Sequence, residues 1–301
     1  MSKATIYPSP AKVNLFLNVL GKRDDGFHNL ESIFLKVPVY DFLHVDTSHS
    51  PFSFSCNDPK IPSDESNLVV KAAQLFFEET GLEKKGQLRL EKELPSEAGM
   101  GGGSGNAAIT LFALNKHFGC PLQKEKLHEL AANLGSDVPF FLMGPQALGT
   151  GRGEILTDLP QFCQINEAWM VIAKPDFGVP TGWAFSSLKE QGELARMKPG
   201  AAEKIAKELV DSPRSWPKPE SFFNSFERPV FQKFPILAWL KKTFLENGAK
   251  LALLSGSGSA VFGLFDNVLS AEKALNILEA DAGESTWKKL IKMSSDSSSV
   301  L

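Results

Sequence analysis

Residues 95–108 read PSEAGMGGGSGNAA, and five of the seven residues from Gly99 to Gly105 are glycine. Glycine admits positive φ and lets backbone amides approach an anion with no Cβ in the way. Apolar residues at helical spacing follow, which predicts a helix over about 106–118. Because the free N–H groups of a helix N-terminus favour an anion, this stretch predicts a polyphosphate site rather than a flexible linker.

Two common nucleotide-binding loops do not fit the glycine-rich stretch. No lysine follows the glycines, so the stretch is not a P-loop. In the Rossmann fingerprint a third glycine would stand where this chain has Ser104. The strand predicted just before, over 87–94, alternates polar and apolar side chains, whereas a buried parallel strand is apolar throughout. The sequence therefore predicts a phosphate site in a different fold.

The first strand is predicted over residues 11–20, which read AKVNLFLNVL and alternate strictly. One face carries Val13, Leu15, Leu17 and Val19, and the other carries Lys12, Asn14, Phe16 and Asn18. The polar face suits either solvent or a polar cleft. A second extended run follows near 33–39, where Pro38 predicts an edge strand or a strand end.

The rest of the chain mixes helices and strands. In the first half, helices are predicted over 67–79, with Gly81 as the stop, and over 124–134. In the second half a strand at 169–173 precedes two helices, two strands, a helix and a strand, with predicted bounds 201–209, 236–246, 250–254, 260–265, 271–279 and 287–293. This order predicts an α+β sandwich with an antiparallel sheet. We expect domains over 1–158 and 159–293, and a frayed tail over 294–301.

Composition and charge exclude several classes of protein. The 301 residues carry a formal net charge of −3, which predicts no affinity for nucleic acid or anionic membranes. The three widely spaced cysteines predict reduced, mostly buried thiols in a cytoplasmic protein rather than disulfides or a zinc site. The N-terminus lacks a signal-peptide pattern, and no segment has the roughly 18 consecutive apolar residues that span a bilayer.

Two charged residues have both a structural and a catalytic interpretation. Lys12 shares a strand face with Asn14, and a lone strand lysine is usually a solvated edge residue. Asp137 lies two residues before Pro139, a pattern that is typical of a helix N-cap. Alternatively, Asp137 accepts the proton of a hydroxyl that attacks a γ-phosphoryl group, and a nearby lysine keeps it ionised.

Two turns also have both a structural and a functional interpretation. Residues 255–259 read SGSGS between two strands, which fits a plain hairpin loop or a second ligand-binding loop. Phe27 and His28 follow Gly26 and present an aromatic ring beside an imidazole. Such a pair more often serves packing than recognition.

Six stretches of the chain carry ordered motifs. They are PSPAKVNLFL (8–17), DDGFHNLESIF (24–34), LPSEAGMGGGSGNAA (94–108), LGSDVPFFLMG (134–144), GTGRGEILTDL (149–159) and LSGSGSAVFGLF (254–265). In this order and spacing they resemble the GHMP kinase superfamily. The resemblance implies a ribosomal-S5-like N-terminal domain, a ferredoxin-like C-terminal domain and an active site in the cleft between them. It also implies ATP-dependent phosphorylation of the 2-hydroxyl of a cytidine-diphosphate-linked methylerythritol, in the non-mevalonate route to isoprenoids.

The resemblance also implies roles for individual residues. Asp137 would be the catalytic base, and Lys12 the cation that keeps it ionised and neutralises developing charge. Asn67 would lie near the adenine of ATP. The residues of the glycine-rich segment that are implied to bind ATP are Pro95, Ala98, Gly99, Met100, Gly101, Gly102, Gly103, Ser104, Gly105 and Asn106. Phe27 would stack on the cytosine against Phe185, while His28 would contact its polar edge. The implied substrate-binding residues are Asn14, Phe27, His28, Asp137, Thr181, Phe185, Ser257 and Gly258.

The chain departs from the family pattern at two positions. Gly105 stands where a serine is common, which removes a hydroxyl that could contact phosphate or metal. Phe27 stands where tyrosine is usual, which keeps the stacking surface and removes a polar tip. Mg²⁺ is expected with ATP, but no second carboxylate marks its ligands, which stay open.

Two alternative functions share these motifs. A GHMP kinase of the homoserine or mevalonate type would keep the glycine-rich loop but give no reason for the DGFH turn. A catalytically silent nucleotide sensor would keep ATP binding and lose turnover, although Lys12 and Asp137 are both present. The expected partners are small molecules, not nucleic acid or membrane, and the chain is expected to be a monomer or a weak homodimer.

Overall fold

The two long strands at the start of the chain form the centre of the first sheet. In the computed structural model, which describes residues 4–294, β1 (Thr5–Lys22) and β2 (His28–Asp46) pair antiparallel along nearly their whole length. The sheet is completed by β3 (Ser53–Cys56), β4 (Gln87–Glu91), β5 (Gln146–Thr150) and β6 (Ile155–Asp158). Its order is β3-β4-β2-β5-β6, and β1 pairs with β2. Of the predicted tail, residues 295–301 lie outside the described part of the chain.

Three helices belong to this first lobe: α1 (Leu68–Thr80), α2 (Gly102–His117) and α3 (Lys124–Leu134). The predictions of α1 and α3 are confirmed. Asn67 caps α1 by accepting from the Val69 N–H at 2.8 Å, and Gly81 ends it at φ +65°. The predicted start of α2 at residue 106 is wrong, because the helix already begins at Gly102, directly after Gly101 at φ +69°. The loop before it is correspondingly shorter.

The second lobe is built on a four-stranded sheet. Its elements are α4 (Cys163–Asn166), β7 (Trp169–Lys174), α5 (Thr181–Glu190), α6 (Ala201–Asp211), α7 (Glu227–Lys233), α8 (Pro235–Glu246), β8 (Leu251–Leu254), β9 (Val261–Phe265), α9 (Val268–Asp281) and β10 (Trp287–Lys292). The strand order is β10-β7-β9-β8, and every neighbouring pair is antiparallel. This confirms the predicted antiparallel sheet. The order is that of a ferredoxin-like βαββαβ unit.

A β-bulge in β1 decides which side chains reach the space between the lobes. The register with β2 shifts between Asn14 and Phe16. Leu15 and Phe16 both enter the core, and from that point the alternation changes phase. Lys12, Asn14 and Leu17 therefore line one cavity. The predicted strict alternation is wrong from Phe16 onward, because a bulge inserts one residue into one strand of the pair.

Pro38 lies inside β2, so the prediction that it marks an edge strand or a strand end is wrong. β5 and β4 pair with the parts of β2 before and after this residue, which leaves it without a strand partner on that side. On the other side the ladder to β1 shifts register between Pro10 and Ala11, opposite the same region. A proline at such a bulge costs no ladder hydrogen bond, so the strand can continue through it.

One hydrophobic cluster is shared by the two lobes. It joins residues of the first sheet, such as Val13 and Ile33, to Met170, Ile172 and Phe262 of the second sheet. The domain boundary between residues 158 and 159 stays a prediction; it falls between β6 and α4. Because the core crosses that boundary, the two lobes share one hydrophobic interior rather than having independent cores.

Two further expectations concern the thiols and the helices. Cys56, Cys120 and Cys163 are all free, but Cys120 and Cys163 are exposed, so the expectation of mostly buried thiols is wrong. Among residues 4–294, no helix has both the length and the apolar character that crossing a bilayer requires.

The loop of residues 255–259 docks onto the loop that precedes α2. Ser255 Oγ donates to the carbonyl of Gly99 at 3.0 Å, and the Ala260 N–H donates to the carbonyl of Ala98 at 3.1 Å. Gly99 has φ +70°, and a Cβ at this position would overlap the carbonyl oxygen of Ser255. Only glycine therefore allows the two backbones to approach this closely. The loop is a contact between the lobes and not merely a hairpin connection.

We expect Gly99→Ala to destabilise the protein more than Gly81→Ala does. Both glycines have similar positive φ, +70° and +65°, but nothing lies within 4 Å of a Cβ at Gly81. The control substitution should cost only the left-handed backbone strain, about 1–2 kcal/mol. The substitution at Gly99 adds displacement of one lobe from the other. Urea denaturation measures both, and equal free energies of unfolding would contradict the close-approach argument.

Candidate active site

A cavity of about 710 Å³ lies between the two lobes. Eleven of the predicted site residues line it, and they come from segments far apart in the sequence. They are Lys12, Asn14, Phe27, His28, Gly99, Gly101, Ser104, Asp137, Thr181, Phe185 and Ser257. Thr181 and Ser257 meet across it, with their hydroxyl oxygens 3.1 Å apart. The first lobe therefore contributes β1 and the glycine-rich loop to the cavity wall, and the second lobe contributes Thr181 and Ser257.

The centre of the cavity contains an ion pair between Lys12 and Asp137. Lys12 Nζ lies 3.1 Å from Asp137 Oδ2, and the lysine side chain is only 4% exposed, against 36% for the aspartate. Lys12 Nζ also donates to Asn14 Oδ1 at 2.8 Å, and Asn14 Nδ2 donates to Ser32 Oγ at 2.8 Å. The cation is thus held from behind, while the carboxylate remains open to the cavity. The alternative that Lys12 is a solvated edge residue is wrong.

Asp137 does not cap a helix, so that interpretation of the motif is also wrong. A 3₁₀ turn spans Pro139–Leu142, the residue before it is Val138 in a helical conformation, and no side chain caps it. The Asp137 carboxylate is therefore not used by the backbone behind it. Its ion-pair partner is Lys12, and its open side faces the cavity.

The loop from Pro95 to Gly101 leads into α2 beside this ion pair. The Lys12 N–H donates to the carbonyl of Met100 at 2.9 Å, which joins the loop to β1. A Cβ on Gly101 would lie 2.9 Å from Lys12 Cγ and 2.8 Å from the Phe141 ring. The first N–H groups of α2 thus lie close to the Lys12 side chain, in an arrangement that favours a bound anion.

Asp41, which the sequence analysis missed, fastens both ends of the glycine-rich segment. Its buried carboxylate accepts from the backbone N–H groups of Glu93 and Leu94 at 2.8 and 2.9 Å, just before the loop. It also accepts from Asn106 Nδ2 at 2.9 Å, inside α2, and it forms a buried ion pair with Lys92. No motif marks Asp41, because its partners come from a strand end and a helix more than 50 residues away.

Several predicted ATP-binding residues use their side chains elsewhere. Asn67 caps α1, and Asn106 is 2% exposed and bound to Asp41. Ala98 and Met100 belong to the hydrophobic core, so only their backbones reach the loop surface. Gly258 does not line the cavity. Ala98, Met100 and Asn106 therefore form the framework of the loop, and any contact that they make with a ligand has to come from the backbone. The Asn67 side chain is used at the start of α1 and also donates to the Pro62 carbonyl at 2.7 Å.

Packing explains why Gly105 replaces a serine. A Cβ at residue 105 would lie 2.9 Å from Ser9 Oγ, 3.1 Å from the Pro10 carbonyl oxygen and 3.2 Å from the Phe141 ring. The residue is buried against β1 and faces away from the cavity. In this chain a hydroxyl at residue 105 would therefore point into the interior, and its loss does not remove a group from the cavity.

Aromatic rings form the far end of the cavity. The His28 ring stacks on Phe185 with centroids 4.7 Å apart and an interplanar angle of 21°, and Phe185 meets Phe226 edge to face at 4.9 Å. Phe27 is 51% exposed, with the Arg152 guanidinium 4.7 Å from its ring centroid. The face of Phe185 that would stack on a base is therefore covered by the His28 ring, so Phe27 and Phe185 do not form an open slot between them.

The state of His28 suits hydrogen bonding to a neutral ligand. Burial, assisted by the nearby charge of Lys22, lowers the pKa of the imidazole below its usual value. A lowered pKa leaves the ring neutral near pH 7, with one nitrogen that donates and one that accepts.

Three cations that the sequence analysis missed line the same cavity: Lys22, Arg152 and Lys189. Arg152 belongs to the GTGRGE motif, so a signal for it was available, whereas Lys22 and Lys189 carry none. Among the described residues that line the cavity, Asp137 is the only carboxylate. The wall is therefore strongly cationic, which favours an anionic ligand.

A resident magnesium site does not fit the residues present. Between residues 4 and 294, no group of three or more histidine, cysteine, aspartate or glutamate side chains could hold a metal ion. Asp137, the one carboxylate among the described residues of the cavity wall, is already paired with Lys12. Mg²⁺ usually depends on substrate phosphates as well as one or two carboxylates, so it would have to enter with the nucleotide.

Comparisons with known proteins agree on one family. The family models for the GHMP kinases N terminal domain and for the GHMP kinases C terminal domain match residues 67–145 and 198–284. A 4-diphosphocytidyl-2-C-methyl-D-erythritol kinase from Chloroherpeton thalassium is 40% identical over 271 residues, which cover 90% of this chain and 91% of the relative.

Solved structures give the same result. A crystal structure of 4-(cytidine 5'-diphospho)-2C-methyl-D-erythritol kinase matches with a TM-score of 0.76 and 32% identity, covering 95% of this chain and 99% of that one. A homoserine kinase from Cytophaga hutchinsonii matches with a TM-score of 0.72 but only 19% identity, covering 97% and 96% of the two chains. The second likeness concerns the fold alone.

We expect Asp41→Ala to lower the free energy of unfolding by about 3–5 kcal/mol, because it leaves the Lys92 ammonium buried without a counter-charge. The control is Asp211→Ala, which breaks an exposed pair with Lys207 and should leave stability nearly unchanged. Thermal and urea unfolding measure both variants. Equal stability of the two would show that Asp41 does not hold the loop.

Proposed function

Because the chain belongs to the GHMP kinases and, within them, to the 4-diphosphocytidyl-2-C-methyl-D-erythritol kinases, we propose that its cavity carries out their phosphoryl transfer. The chain moves the γ-phosphoryl group of ATP to the 2-hydroxyl of 4-diphosphocytidyl-2-C-methyl-D-erythritol and releases ADP and the 2-phosphate. This is a step of the methylerythritol phosphate route to isoprenoid precursors. The observation that carries the proposal is the Lys12–Asp137 ion pair beside the glycine-rich loop.

Asp137 is the proposed base of the transfer. Its exposed carboxylate accepts the proton of the 2-hydroxyl as the hydroxyl oxygen bonds to the γ-phosphorus and the bond from that phosphorus to the β,γ-bridging oxygen breaks. Lys12 holds the carboxylate in place through the ion pair and stabilises the charge of the phosphoryl group during transfer. Asn14 fixes the lysine and stays a predicted contact of the erythritol hydroxyls.

ATP lies along the glycine-rich loop in this proposal. The N–H groups of Gly99 to Ser104 and the N-terminus of α2 face its phosphates, while Gly105 and Asn106 support the loop from behind. Asn67 stays a predicted neighbour of the adenine. ATP enters as its Mg²⁺ complex, and the metal therefore counts as part of the substrate. Every step assigned to this chain is a binding, orienting or proton-accepting step.

The cytidine diphosphate half of the acceptor occupies the aromatic and cationic end. Phe185 and Phe27 offer stacking surfaces, and the neutral His28 can pair with the polar edge of the cytosine once its ring moves off Phe185. The cations Lys22, Arg152 and Lys189 match the charge of a diphosphate. Thr181 and Ser257 close on the substrate from the second lobe.

The remaining expectations are part of the same proposal. We keep the division into domains 1–158 and 159–293, supported by the sheet that each contains. We also keep the expectation of a monomer or weak homodimer. A cytoplasmic location is supported by three free cysteines. Size-exclusion chromatography and fractionation of cells that express the native chain test these points.

An acceptor panel tests the proposed reaction. Purified protein with Mg·ATP should release ADP with 4-diphosphocytidyl-2-C-methyl-D-erythritol and not with homoserine, mevalonate or no acceptor. Asp137→Asn is the matched control, since it removes the base and should bring turnover to background while ATP still binds. Release with homoserine or mevalonate would discard the cytidine site, and ATP binding without any release would favour a silent sensor.

Phe185→Ala tests the cytidine end separately. Loss of a stacked ring costs a base about 1–3 kcal/mol, so the KM for the cytidine acceptor should rise about tenfold or more while the KM for ATP changes little. Phe54→Ala is the control, because Phe54 is also half-buried but lies on β3 and not in the cavity wall. Steady-state kinetics measure both KM values. An equal rise in the KM for the acceptor and the KM for ATP in Phe185→Ala would contradict the stacking role.

A further inference from the structure

A second buried lysine lies directly across the strand pair from Lys12. Lys36 on β2 is the register partner of Lys12 on β1, and the two residues are 5% and 3% exposed. Two like charges on opposite residues of an antiparallel pair repel each other. A buried pair of this kind persists only if each ammonium group has its own compensation, so the partners of Lys36 need an explanation.

Lys36 is bound to the far end of the segment that begins with Asp137. We name residues 137–143 the Asp137 turn. Lys36 Nζ donates to the carbonyl of Phe141 at 3.1 Å and to that of Met143 at 2.6 Å. The Lys36 N–H also donates to the carbonyl of Pro145 at 2.8 Å. The Asp137 turn is thus held at its start by Lys12 and at its end by Lys36.

Two stacked rings lie between the two ammonium groups. Lys12 Nζ is 5.5 Å from the centroid of Phe34, and Lys36 Nζ is 5.8 Å from that of Phe140. Phe34 and Phe140 stack with centroids 5.1 Å apart. Each ring offers its negative face to a cation, so the stack separates and stabilises both charges. It also ties Phe140, within the Asp137 turn, to β2.

We propose that Lys36 is a positioning residue that holds the Asp137 turn, and through it the Asp137 carboxylate, in the geometry required for proton acceptance. The proposal rests on the proposed function of Asp137. Lys36 does not line the cavity, so it touches neither substrate nor the reacting atoms. It acts by supplying N–H donors to two carbonyl groups that the 3₁₀ turn leaves unpaired at its end.

The charge of Lys36 changes close to physiological pH. Burial lowers the pKa of its ammonium group to about 8, against an ordinary value of 10.5, and the negative charge of Asp158 on β6 partly opposes this. The other titratable groups around Lys36 are Lys12 on β1, Asp137 in the Asp137 turn and His128 on α3. Burial and the charge of Lys124 lower the pKa of His128. Lys36 is mostly protonated at pH 7, and as the pH rises through about 8 it loses the positive charge that strengthens both of its hydrogen bonds to the carbonyl groups.

The pH dependence of stability runs in the opposite direction. Because the folded-state pKa lies below the unfolded value, the folded state binds fewer protons between about pH 8 and 10.5, and this residue's contribution to stability rises with pH there. A positioning role therefore predicts falling kcat over a range in which Lys36 does not promote unfolding. A purely structural role would not separate the two.

The test compares Lys36→Met, Lys36→Arg and the control Lys116→Met, which removes an exposed lysine stacked on Phe112. We expect Lys36→Met to lower kcat about tenfold or more at pH 7 with little change in either KM. The unsubstituted protein should lose kcat as the pH rises through about 8. Lys36→Arg should restore part of kcat and lack this alkaline loss, because the guanidinium stays charged. The control should behave like the unsubstituted protein.

A second readout does not depend on turnover. Within the Asp137 turn, the Phe141 N–H donates to Val138 and the Met143 N–H to Phe140. These amides should exchange with deuterium faster in Lys36→Met than in the control. If Lys36→Met exchanges faster but the unsubstituted protein has no kinase activity, the proposed function is wrong while the role of Lys36 in holding the Asp137 turn is retained. An unchanged kcat and unchanged exchange in Lys36→Met would overturn the positioning role, whatever the acceptor is.

Discussion

The close approach of two loop backbones at Gly99 and Ser255 is the contact on which the site depends. It is possible because residue 99 has no Cβ, and it joins the lobe of the glycine-rich loop to the lobe of the second sheet. Through the Met100 carbonyl, the same loop is bonded to the backbone of Lys12. The position of Lys12 and the distance between the lobes are therefore set by one chain of short contacts.

Buried charge surrounds this contact, and each charge is individually compensated. Lys12 pairs with Asp137, Asp41 pairs with Lys92 and accepts backbone N–H groups, and Lys36 donates to two carbonyls. In a low-dielectric interior an unpaired charge costs several kcal/mol, so these networks also specify one geometry for the segments they join. The β1–β2 ladder contributes most of these groups, namely Lys12, Lys36 and Asp41.

Local signals predicted the elements that local interactions determine. Asn67 and Gly81 marked the ends of α1 because a cap is formed by residues adjacent in the chain. The bulge at Asn14 and Phe16 and the passage of β2 through Pro38 escaped prediction, since both depend on which strands lie alongside. The early start of α2 escaped for a similar reason. Glycine is a poor helix former on its own, and the Asp41 contacts that hold Asn106 come from another strand.

The sequence by itself determined the glycine-rich loop, the motif order and the family, and it predicted Lys12 and Asp137 as the catalytic pair, because these reside in residue types at short, ordered spacings. Only the tertiary structure decided that Lys12 is buried against Asp137 rather than solvated, and that Asn106 supports the loop through Asp41. It also placed His28 against Phe185 and Lys36 under the Asp137 turn. A side chain's partners across strands depend on register and lobe packing, and those follow from the energy of the whole core rather than from neighbours in the chain.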